Sequence, residues 1–350
     1  MSTLTSVFIL GIFSLCIWKI GTVKSVTSIR SDYLSIESCN NVRGIAAIII
    51  LVHHLSQELT SGVILGSFIR AGYLAVALFF FFSGYGLQKR YMQSPETYAN
   101  KFLSKRFNKI LIPYIVIFVF YCLVYVLNGD MEIIKERLEL LKYGGLLVPY
   151  SWYVIVCLVF YLFYYFLMII CKEKYKIMIL LSFGFCIAEL CLCKLCHFNN
   201  WWYNTIHLIP VGMIWAVYEV RIVEFVKKFY FVLSPVLIVV FSSTYHIVKS
   251  NVGEQMTIMC MISSLMFVLL IVFALMKVKI GNSILNWIGK NSFEVYLMQG
   301  FLIYIFRNER IYINNNLLYI VLVVLSTLIC AEIAHKCFSL IYKNINKSDV

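Results

Sequence analysis

Arg43 opens the run RGIAAIIILVHHLSQE, and His54 follows eleven residues later. Three turns of α-helix take about 10.8 residues, so the two side chains share a face, roughly 16 Å apart along the axis. Glu58, four residues beyond His54, lies on that face too. Its carboxylate is placed to accept a proton from one imidazole nitrogen and leave the other as a base. A guanidinium at the membrane surface and a proton acceptor deep inside suit a donor that enters head-first. The spacing also serves a plainer arrangement, in which Arg43 snorkels to the interface and His54 bonds a neighbouring helix.

Other residues add to this constellation. Ser83-Gly84-Tyr85-Gly86 closes an aromatic run, and small residues there allow close approach of a helix or of a ligand. Arg106 and Lys109, one helical turn apart at a membrane surface, suit a clamp on phosphate groups or ordinary anchoring. His53 points about 100° away from His54 and is expected to pack against another helix. Glu294 lies in a short polar span, where a carboxylate is costly. Cys193, Cys196 and His197 fit a haem-attachment pattern and, with Cys191, a zinc pattern. Cysteine is frequent throughout the chain, with twelve in all, so no metal is expected.

The elements that must position these groups are membrane helices. Of 350 residues, 61% are hydrophobic and 13% charged, too few polar side chains to coat a globule in water. The apolar residues fall in blocks near 3–20, 42–58, 68–88, 110–128, 151–171, 177–195, 204–220, 229–247, 256–276, 291–306 and 317–341. Each approaches the roughly 20 residues a span needs. The expectation is an all-α polytopic bundle of about 10–11 spans with no soluble domain, no internal repeat and no cleaved signal peptide. Lys19, Lys24, Lys89, Arg90, Arg106, Lys109, Lys172, Lys228, Lys290 and Lys343 collect in the loops of one side, which the positive-inside rule makes cytoplasmic. That rule also accounts for the net charge of +13, so a nucleic-acid partner is not expected. Ser94-Pro95-Glu96 marks a helix start in the basic loop.

In these motifs the chain resembles the acyltransferase-3 family of integral membrane acyltransferases. The likeness covers most of the chain and is strongest over residues 40–115. The family's Arg-x10-His pattern falls on Arg43 and His54, its aromatic run before Ser-Gly on Phe79 to Gly84, and its Arg-x-x-Arg pattern on Arg106 and Lys109. Ser151-Trp152-Tyr153 and Gly289 to Leu297 are similar to further family elements. Asn40, Lys109 and Gln299 depart from an aspartate, an arginine and a histidine found in many members.

The resemblance implies one transmembrane acyltransferase domain over 1–350, with a family core at 39–345 and an extra N-terminal span and linker at 1–38. It implies His54 as general base with Glu58 beside it, and acyl-CoA, with acetyl-CoA the commonest donor, held by Arg43, Arg106, Lys109, Ser83 and Gly84. Trp152 and Tyr153 are the expected substrate contacts. The acceptor is expected to be a hydroxyl of a cell-surface carbohydrate or its precursor, and the location a bacterial inner or plasma membrane. A glycan or lipid-linked sugar transporter is the rival reading from another class, and an inactive assembly partner a third.

Overall fold

A computed structural model describes residues 3–18, 21–22, 28–59, 66, 68–251, 256–308 and 310–348. Lys19 and Lys24, counted above among the basic loop residues, lie outside them. The described residues are 83% helical. Among the described residues six helices are long and apolar enough to cross a membrane by length and composition, which makes a polytopic bundle.

In chain order, α1 spans Thr3–Ile17, α2 Ile36–Glu58, α3 Gly72–Gln93 and α4 Pro95–Asn100. A π-helical turn, Leu103–Phe107, leads into α5, Asn108–Asn128. Then come α6 Met131–Leu140, α7 Trp152–Cys171, α8 Tyr175–Leu195, α9 Leu208–Ser250 and α10 Thr257–Lys277. The short α11, Ser283–Lys290, and α12, Ser292–Ile305, precede α13, Asn316–Ser348. Two-residue strands, Gly21–Thr22 and Val278–Lys279, pair antiparallel.

Local signals explain several boundaries. Ser35 caps α2, its hydroxyl accepting from the Ser38 amide at 3.2 Å, with Glu37 in the first turn where the helix dipole favours a negative charge. Pro95 opens α4 where a missing N–H costs nothing, as the Ser-Pro-Glu sequence predicts. Asn282 caps α11 by accepting from the Leu285 amide at 2.9 Å. Arg70 donates to the carbonyls of Val248, Lys249 and Asn251 at 2.6–2.8 Å and so satisfies the C-terminal end of α9.

The blocks 204–220 and 229–247 are two helical segments of α9, which breaks at Tyr218 and Phe229, where the backbone leaves helical geometry. The charged residues between them read as a loop, yet Glu219 is absorbed by neighbours. It accepts from Tyr33 at 2.9 Å, from Tyr85 at 3.1 Å and from Lys89 at 2.5 Å.

Close packing sits where glycines meet backbones. Gly84 and Gly212 bring α3 and α9 together, the former against the Ile209 carbonyl and the latter against the Phe81 carbonyl. Gly44 and Gly289 do the same for α2 and α11, against Leu285 and Asn40. The exteriors of α5, α8 and the second half of α9 expose Val119, Leu123, Leu180, Ile187, Phe231 and Val239, among others. Such continuous apolar faces belong against lipid rather than water.

Candidate active site

The glycine-packed helices leave a cavity of about 990 Å³ at the basic end of the bundle. Asn40, Arg43 and Ile50 of α2 form one wall, Phe79, Phe82 and Ser83 of α3 another. Tyr153 and Tyr161 of α7 and Tyr296 of α12 also line it, and Phe338, Tyr342 and Lys343 of α13 complete the lining. Seven cations line it: Arg43, Lys89, Arg90, Arg106, Lys109, Lys290 and Lys343. Glu294 is the one carboxylate among the described residues of the lining. Away from these cations the lining mixes apolar and aromatic side chains with polar ones such as Asn40, Ser83 and His335. The cavity therefore suits a ligand with a strongly anionic head and an apolar tail.

Arg43 is half-buried, its guanidinium 5.7 Å from the centre of the Phe82 ring. Arg106 sits in the π-helical turn, a geometry frequent at functional sites. Lys109 is exposed and lies 5.8 Å from the Tyr342 ring centre. The Ser83 hydroxyl pairs with that of Tyr161 at 2.7 Å. The structure thus brings Arg43, Ser83, Arg106, Lys109 and Tyr153 to one cavity. Gly84 does not join them, because it is pressed against α9; its role is close helix approach. Trp152 packs beside Phe80 and Trp202 and is not part of the cavity lining.

His54 stands one helical turn beyond Ile50 and is 8% exposed. Its ring stacks on Tyr150, with centroids 3.7 Å apart. Tyr150 holds a left-handed backbone, φ 64°, an uncommon state for an aromatic residue that marks functional sites. The hydroxyl of Tyr296, in the cavity wall, donates to the Tyr150 carbonyl. Tyr296 and Tyr150 therefore join the inner end of the cavity to His54.

The imidazole's partner differs from the expected one. Nδ1 of His54 pairs with Oε1 of Gln57 at 3.2 Å. The side chain of Glu58 is exposed and makes no hydrogen bond to His54; its carbonyl receives Arg307 at 3.4 Å. Gln57 is three residues from His54 and four from His53, so it reaches both rings, whereas Glu58 lies beyond His53. His53 does pack against another element, as expected. Its Nδ1 meets the Phe68 carbonyl at 2.8 Å and its ring lies against Gly72 at the start of α3.

Two groups escaped sequence reasoning. His335 of α13 pairs with Glu294 at 3.0 Å in the cavity wall. Glu294 is conspicuous as a carboxylate in a short span, but its partner is 41 residues away and carries no local signal. Gln57 stands beside two histidines, but spacing alone gives its charged neighbour Glu58 an equal claim on His54. The departures Asn40 and Gln299 are both buried: Asn40 lines the cavity, and Gln299 donates to the Tyr296 carbonyl at 3.2 Å. Cys193 is buried and Cys196 exposed. Among the described residues no three His, Cys, Asp or Glu side chains gather in a metal-binding cluster.

A bundle of apolar helices around a cationic cavity defines a class, the multi-pass integral membrane proteins. The model of the acyltransferase-3 family, described as an acyltransferase domain, matches residues 36–335. The chain belongs to that family and is a multi-pass membrane acyltransferase. Comparison with curated proteins and with solved structures gives no match.

Proposed function

We propose that the protein moves an acyl group, acetyl above all, from acyl-CoA at the cytoplasmic face to a hydroxyl of a cell-surface glycan or its precursor. The observation that carries this reading is the charge of the cavity at the basic end of the bundle, lined among the described residues by seven cations against one carboxylate. Coenzyme A has a polyphosphorylated head and a slender arm ending in the thioester. Arg43, Arg106 and Lys109 hold the phosphates by charge-assisted hydrogen bonds. The arm runs inward past Phe79 and Tyr153 to Tyr296. The basic end is cytoplasmic by the positive-inside rule, and a bacterial cell membrane is the proposed location.

The acceptor hydroxyl meets His54 from the opposite side. Nε2 of His54 takes the hydroxyl proton as the oxygen attacks the thioester carbonyl. The tetrahedral intermediate collapses, the carbon–sulfur bond breaks, and the imidazolium returns the proton to the thiolate. Ester and free thiol leave, and the enzyme is restored.

Calorimetry in detergent tests the donor half. Coenzyme A is expected to bind wild type, with affinity at least tenfold weaker in Arg106→Ala/Lys109→Ala, each tenfold being about 1.4 kcal/mol. Equal binding by both proteins removes these residues from the donor site. Lack of binding by folded wild type removes acyl-CoA and puts transport of a sugar carrier first.

A further inference from the structure

Resting on the reading of His54 as the base, we infer that His53 and Gln57 form a hydrogen-bond relay that sets the tautomer of His54 and keeps its Nε2 free to accept a proton. His53 and Gln57 are positioning residues; neither touches the reacting atoms.

The direction of the relay follows from its first member. The Phe68 carbonyl can only accept, so the His53 nitrogen 2.8 Å away, Nδ1, carries a proton. In the neutral ring the other nitrogen, Nε2, then holds a lone pair and needs a donor. The Gln57 amide nitrogen lies 3.4 Å from it. That contact settles which way the amide points, a matter only the network decides. With its NH2 turned to His53, Gln57 presents its oxygen to His54 Nδ1 at 3.2 Å. An oxygen accepts only, so Nδ1 of His54 carries the proton, and Nε2 is left with its lone pair. One backbone carbonyl at the start of the relay thereby fixes a proton at the other end. Tyr150, stacked on the ring, holds the plane in which that lone pair points.

The geometry around the relay serves it. The His53 ring lies so close to Gly72 that a β-carbon there would collide with it, so the glycine leaves the room in which the ring reaches the Phe68 carbonyl. The His53 carbonyl accepts from Ser56 at 2.6 Å, and the two imidazole centroids are 4.9 Å apart. Triads elsewhere use a carboxylate to hold the base in its tautomer. Here a neutral amide does so, and it depends on a second histidine to point the right way.

The test separates the relay from simple packing. In ¹⁵N-histidine-labelled protein, with the His54 signals assigned by their loss in His54→Asn, wild type shows Nδ1 protonated and Nε2 bare. His53→Phe removes the acceptor that orients the amide, so Gln57 is free to flip and offer its NH2 to His54. The Nδ1-protonated form then declines, and kcat for acyl transfer falls about tenfold or more while donor KM stays within about twofold. His53→Phe/Gln57→Glu restores the tautomer and most of kcat, because an ionised carboxylate has no donor to misplace. A packing role predicts that the double variant is worse than the single one, and that result overturns the relay. So does wild-type His54 protonated at Nε2. If His54 shows the expected tautomer and responds as described but His54→Ala keeps full transfer, the relay stands and the base assignment fails.

Discussion

At the residue scale, local spacing reveals some partners and hides others. Arg43 and His54 share a helix, and helical repeat is read directly from sequence, so their alignment was legible. The same arithmetic admits both the third and fourth residue after His54, and it cannot tell Gln57 from Glu58. What decides is that Gln57 alone spans both rings, a matter of side-chain direction. Glu294 and His335 were not legible as a pair because two helices must pack before they meet. Arg43→Ala is expected to raise donor KM at least tenfold, with partial recovery in Arg43→Lys, which keeps charge but loses the fork. Steady-state kinetics against acetyl-CoA checks this. Ser83→Ala strands the buried Tyr161 hydroxyl and is expected to cost about 1–3 kcal/mol, read as a lower thermal midpoint in detergent.

At the element scale, helix positions follow from apolar runs, and the structure has a helix at every one of the expected blocks. The charges from Glu219 to Lys228 break the hydropathy of α9, and the backbone leaves helical geometry at both edges of that stretch, Tyr218 and Phe229. What hydropathy does not show is that Tyr33, Tyr85 and Lys89 supply Glu219 with partners from other elements. Glycine roles divide in the same manner. Gly84 and Gly184 look alike in sequence, yet only Gly84 touches a neighbouring backbone. Gly84→Val is expected to abolish monodisperse protein on size-exclusion chromatography. Gly184→Ala, with open space at its β-carbon, is expected to be neutral or to stabilise by about 0.5–1 kcal/mol. Equal behaviour of the two variants would contradict the α3–α9 packing.

At the scale of the whole molecule, the protein separates charge along its axis. Cations gather around one cavity, and apolar faces cover the exterior of the bundle. Composition and the basic loops announced that separation. The cavity itself did not show in the sequence, because it is closed by α13, whose Tyr342 and Lys343 lie about 300 residues from Arg43. An electrostatic cavity has a salt signature. Donor KM is expected to rise severalfold as ionic strength goes from about 0.05 M to about 0.5 M, since the screening length shortens to a few ångströms. A flat response would mean that the cations do not face the donor.

A donor held in the cationic cavity is expected to lose its acyl group at His54. The most direct measurement is transfer or hydrolysis of acetyl-CoA by purified protein, wild type beside His54→Ala, with coenzyme A binding measured on both. The account predicts turnover by wild type, and a variant that binds coenzyme A equally well with kcat reduced at least a hundredfold. Undiminished turnover in folded His54→Ala would contradict it.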